Sequence, residues 1–65
     1  MVIIEIQKGD TLAVLHEENE STNIAEQIYH TKLSYAAVST VPVHSVILLT
    51  DDGRVVKSES YYHEA

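Results

Sequence analysis

Along the chain, short β-branched runs that alternate in polarity flank one longer run with a helical period. Met1–Gln7 predicts a strand, with Val2, Ile4 and Ile6 alternating with Ile3, Glu5 and Gln7. Branched side chains suit such a pleated, half-buried surface. Lys8-Gly9-Asp10 follows as a turn containing a glycine able to take positive φ. Thr11–His16 fits two readings. As a second strand it folds back about Gly9 and pairs Ile6 with Leu12, Ile4 with Val14 and Val2 with His16; the first two pairs are apolar on one face. As a short helix it would be capped by Asp10 or Thr11, with Leu12 and Leu15 inward. The symmetry of the apolar pairs favours the hairpin.

Glu17–Glu20 reads as a solvated acidic loop, and Ser21–Val38 as the one full-length helix. At ~100° per residue, Ile24, Ala25, Ile28, Tyr29, Tyr35 and Ala36 share an apolar arc, with Glu26, Gln27, His30 and Ser34 outside it. Ser21, Thr22 and Asn23 are all good N-cap residues, and Asn23 with Glu26 forms a box-like pair. At the exit, Pro42 cannot continue a helix, and the β-branched run from Val38 to Val41 places the end a few residues before it. His44–Thr50 is the most strand-like run in the chain. Asp51-Asp52-Gly53 signals a hairpin, because Asp-Gly tolerates the positive φ such turns require. Arg54–Ser60 returns as the last strand, and residues 61–65 are expected to be a flexible tail. The ββαββ order predicts a single α+β domain, a small antiparallel sheet with one central helix packed on one face.

Composition sharpens this picture mainly by exclusion. A 65-residue chain without cysteine has neither disulfides nor a cysteine zinc site to reinforce a small core. Eight Val, six Ile and five Leu supply apolar side chains, but there is no Phe or Trp. Self-association is one remaining route to stability, so a homodimer is expected. The net charge is −6, and Lys8, Lys32, Arg54 and Lys57 are scattered. Nucleic acid needs clustered cations, and an anionic membrane would repel this charge, so neither is an expected partner. The apolar opening is broken by Glu5 and no basic stretch precedes it, which leaves no signal peptide or membrane span and a cytoplasmic default.

Candidate chemistry is sparse. His16, His30, His44 and His63 lack the close spacing of a helix-borne metal site and read as surface or strand-end histidines. No strand-nucleophile-helix elbow is present, Asp51-Asp52 reads as a turn former, and two isolated glycines cradle no phosphate. No enzyme activity and no cofactor are expected. Lys32 falls inside the apolar arc; its stem can lie on the core with the ammonium in water, the alternative being a buried partner or an intersubunit ion pair. Tyr61 and Tyr62 on a strand must face opposite ways, so one is exposed unless another chain covers it. Glu17, Glu18 and Glu20 could present a phosphate-like surface to a basic partner. Tyr61, Tyr62, Glu17, Glu18 and Glu20 are therefore the candidate interface residues.

Ile6-Gln7-Lys8-Gly9-Asp10-Thr11-Leu12 resembles the opening of a LysM repeat, in which a strand runs through a Gly-Asp-Thr-Leu turn into a first helix. The resemblance covers residues 3–50 and implies a second helix, a final strand and a glycan-binding or phage-tail-type module. Ala13, His16 and Glu17 depart from the pattern, as does Val43-His44-Ser45 where a glycine turn is usual. The residues themselves predict a small acidic protein acting through protein–protein contact, such as a regulator or inhibitor of a basic-surfaced partner. An uncharacterised structural domain is the further alternative.

Overall fold

A computed structural model describes residues 1–63. Two hairpins flank a helix: β1 (Val2–Lys8), β2 (Leu12–Glu18), α1 (Thr22–Val38), β3 (Val43–Leu49) and β4 (Val55–Tyr62). The sheet order is β2-β1-β3-β4, and every neighbouring pair is antiparallel. The ββαββ α+β architecture is the one the hydrophobic pattern predicts. The segment that a LysM module would form as its first helix is strand β2 here.

The register of the first hairpin differs from the expected one by two residues. Lys8 pairs with Leu12, Ile6 with Val14, Ile4 with His16 and Val2 with Glu18. Folding about Gly9 alone would leave a one-residue loop, whereas hairpins need at least two. The loop here is Gly9-Asp10-Thr11. Gly9 keeps an ordinary φ, and Gly53, at φ +92°, is the only residue with a positive φ among those described. Thr50 closes the second turn, its carbonyl accepting from Gly53 at 3.0 Å and its amide donating to Arg54 at 2.8 Å.

Ser21 caps α1, its Oγ accepting from the Ile24 amide at 3.4 Å, so Asn23 lies within the first turn instead of starting it. The helix ends at Val38, where Ser39 turns extended. It packs chiefly on β3 and also touches β1 and β4. Ala25, Tyr29 and Ala36 are buried against Ile3, Val46 and Leu48, with Ile28 and Leu33 half-buried beside them. Ile24 and Tyr35, expected inward, sit at the margins of the arc and are exposed.

The last strand is longer than its sequence suggests. Tyr61 and Tyr62 belong to β4, opposite His44 and Val43, and are not part of a tail. His63 continues the order: its amide donates to the Pro42 carbonyl at 2.8 Å and its Nε2 to the Ala36 carbonyl at 2.8 Å. The remainder of the expected tail, 64–65, lies outside the described residues. The outer strands β2 and β4 are both free edges. A bulge at Leu48/Leu49 interrupts the β3–β4 ladder, while the β1–β2 ladder is regular throughout. The result is a thin slab, with Cα extents of 36 × 19 × 14 Å, bearing a helix on one side and bare strands on the other.

Candidate functional site

Alternation in β1 makes Val2, Ile4 and Ile6 the natural inward set, since burying three aliphatic side chains gains more than burying Ile3, Glu5 and Gln7. The helix covers the other set. Ile3 and Glu5 are buried beneath it, and Val2, Ile4 and Ile6 lie on the opposite face. The register extends that face across all four strands in rows: Val14–Ile6–Ser45–Ser60, His16–Ile4–Ile47–Ser58, Glu18–Val2–Leu49–Val55 and Leu12–Lys8–Val43–Tyr62. No part of the described chain covers these rows. Leu12 is 63% exposed, Val14 57% and Tyr62 78%. Each row holds at least two apolar side chains, and the row shared with His16 and Ser58 has Ile4 and Ile47 at its centre. Large contiguous apolar faces are uncommon on isolated soluble domains and mark interaction surfaces.

The covered face is the more polar one because it holds an ionic cluster. His44 projects from β3 with its Nε2 2.7 Å from Glu5 Oε2, both residues buried. Lys32 reaches down from α1 to Glu5 Oε1 at 3.6 Å and to Glu17 Oε1 at 3.3 Å. Its side chain is only 17% exposed, so its ammonium has one buried partner, Glu5, and does not simply run out to water. A buried carboxylate with two such partners has its desolvation largely offset. With the imidazole proton on Nε2 donating to Glu5, Nδ1 is left buried and unpartnered. A histidine oriented by a carboxylate is half of a general-base device. The nitrogen that would act is enclosed, so no substrate atom reaches it, and the pair serves instead to tie β1 to β3. Beside Lys32, a cleft of about 470 Å³ opens between α1 and β2, lined by Glu5, Glu17, Gln27, Ile28, Thr31 and Tyr35.

The five candidate interface residues fall at two separate ends of the sheet. Tyr62 lies on the open face, whereas Tyr61 is half-buried on the helix side, packed on the core and stacked on His63 at a centroid distance of 6.3 Å. At the far end, Glu18 occupies a corner of the open face, Glu20 lies in the following loop, and Glu17 turns toward Lys32. Asp51 and Asp52 of the β3–β4 turn lie at this same end, where Glu18, Glu20 and Asp51 line a shallow cleft with Met1. Burial sets one further group apart: it pushes the Tyr29 phenol above its ordinary range, with Glu59 and Tyr61 adding to the effect.

Sequence reasoning missed His44 and Glu5 as partners, and read His44 as a surface or strand-end residue. It also missed that Val2, Ile4 and Ile6 are the outward set. The signal that could have exposed both is Glu5 itself: a carboxylate in the strand's second inward position needs a cation, and Lys32 is the one cation within the helix's apolar arc. Among the described residues, no helix is long and apolar enough to cross a membrane. No protein-family model matches the chain, and neither a curated protein nor a solved structure matches it.

Proposed function

We propose that this is a non-enzymatic cytoplasmic protein that works through protein–protein contact, with the bare face of the sheet as its contact surface. The observation that carries the reading is the inverted polarity of β1, which leaves Val2, Ile4 and Ile6 on the side with no helix. A fold that placed its aliphatic set outward for no occupant would forgo roughly 1.5–3 kcal/mol for each side chain it could have buried. The enclosed Nδ1 of His44 supports the non-enzymatic part, because this carboxylate-oriented imidazole has its second nitrogen buried.

A second contact is favoured by the acidic end. Glu18, Glu20, Asp51 and Asp52 gather there, which suits a regulator or inhibitor that engages a basic partner surface. The two contacts separate in one capture experiment using the wild-type chain and a Val14→Lys/Ile47→Glu variant. Contact through the sheet predicts partners that the variant no longer retains. Contact through the acidic end predicts partners released by moderate salt. Identical retention by both chains at every salt concentration sinks the reading.

A further inference from the structure

We propose that the occupant of the bare sheet face is a second copy of this chain, packed face to face so that two sheets form the middle of a four-layer α/β/β/α dimer. The proposal rests on the contact reading above and names its partner.

Three observations select a second copy. The first is charge. Although the chain carries −6, Glu18 is the one carboxylate that the register places on this face, at a corner, and Lys8 balances it from the other end of the same hairpin. Two copies can therefore meet with their remaining acidic groups turned outward, while a basic protein would find only the corner carboxylate of Glu18 on this face to pair with. An anionic bilayer fits no better, because it would meet an apolar face carried by a strongly acidic molecule.

The second is area. Four strands spaced ~4.8 Å apart, seven or eight residues long at ~3.4 Å per residue, give a face of roughly 450 Å² in projection. Side-chain relief brings its accessible area toward the ~800 Å² per partner of a stable interface. The sheet lies along the broad side of a slab 14 Å through its thinnest Cα extent.

The third is the core. Ile3, Val46 and Leu48 are its largest fully buried side chains, which is little for a chain that lacks disulfides. Covering Ile4, Ile6 and Ile47 would supply the missing half of a sandwich core. An occupant that completes the fold must be present whenever the chain is, and a second copy meets that condition by its nature.

The test uses the full chain and two single-cysteine variants, informative because the native sequence has no cysteine. Val14→Cys reports on the bare face and Tyr35→Cys on the helix side, both at positions exposed in the single chain. Light scattering across micromolar concentrations is expected to give twice the 7.3 kDa chain mass. A water-soluble maleimide should label Val14→Cys at least tenfold more slowly than Tyr35→Cys. Val14→Lys, at an exposed site that tolerates a lysine stem, should give a folded monomer by circular dichroism. A dimer whose Val14→Cys labels as fast as Tyr35→Cys overturns the proposal, since it must use an edge or the helix. So does a monomer at every concentration. If that monomer binds a hydrophobic dye that Val14→Lys does not, the face is open and the wider contact reading survives. If it binds none, both fall together.

Discussion

Replacing Lys32 by Met keeps most of the stem and removes the ammonium from above Glu5. The charges are 3.6 Å apart, so at an effective dielectric of ~20 their gross attraction is roughly 4–5 kcal/mol. Solvation of the half-exposed Glu17 and the surviving His44 bond recover part of this, leaving an expected loss of about 2–3 kcal/mol. Glu5→Leu alone should cost about 1–3 kcal/mol, because Lys32 keeps only Glu17 and the buried His44 Nε2 loses its acceptor. The double variant replaces the pair with apolar groups and should cost less than the sum of the singles by at least about 1 kcal/mol. Urea unfolding followed by circular dichroism reads these values from the midpoint at constant slope. Protein concentration must be held fixed, since self-association would add its own stabilisation. Additivity within about 0.5 kcal/mol would refute the cluster as a coupled unit and leave Lys32 a surface residue with an incidental neighbour.

Three other outcomes follow from the packing and the turns. Leu48→Ala, at a fully buried position, should cost about 2–5 kcal/mol and leave much of the population unfolded at room temperature, as read by loss of circular dichroism. Gly53→Ala should destabilise by about 1 kcal/mol because φ is +92° there, although no atom lies near the added methyl. Gly9→Ala should be close to neutral in the same melt, its added Cβ meeting only the Pro42 Cδ at 3.4 Å. The raised Tyr29 phenol holds its proton in the folded state to higher pH than in the unfolded chain. The folded state thus binds more protons in the alkaline range, and stability should fall as pH rises past the ordinary phenol value of 10.0. Phenolate absorbance should show one tyrosine titrating late, and Tyr29→Phe should remove that component.

The pattern of the chain carried the elements well, since each is a short-range property. Alternation marks the strands, the Ala25–Tyr29–Ala36 stripe marks the helix, and Asp52-Gly53 marks the second turn. Which face of a strand is covered is decided elsewhere. The period of two in β1 assigns Ile4 and Ile6 to one side but cannot say where α1 lands. That depends on Lys32, His44 and Glu5 meeting across 39 residues of sequence from the first carboxylate to the imidazole. The hairpin register slipped for a different reason. Apolar pairing alone favours Ile6 opposite Leu12 and Ile4 opposite Val14, but that register leaves too short a loop. The shift of two that keeps the same faces retains only Ile6–Val14. Tyr61 and Tyr62 looked like a tail because nothing after Ser60 alternates. Their order comes from β3 and from the His63 contacts, which are long-range.

The two free edges of the sheet differ in their exposure to unwanted growth. Edge β4 is interrupted by its bulge and carries Lys57, both of which discourage the docking of a foreign strand. Edge β2 has neither safeguard in its first half, where a regular ladder displays Leu12, Val14 and Leu15 to solvent. Its guards are Glu17 and Glu18 at the far end, which repel the matching positions of another copy. Their protection is electrostatic and therefore fades in concentrated salt. The conditions usually chosen to crystallise or precipitate such an acidic chain are thus the ones in which β2 would begin to recruit strands into fibres.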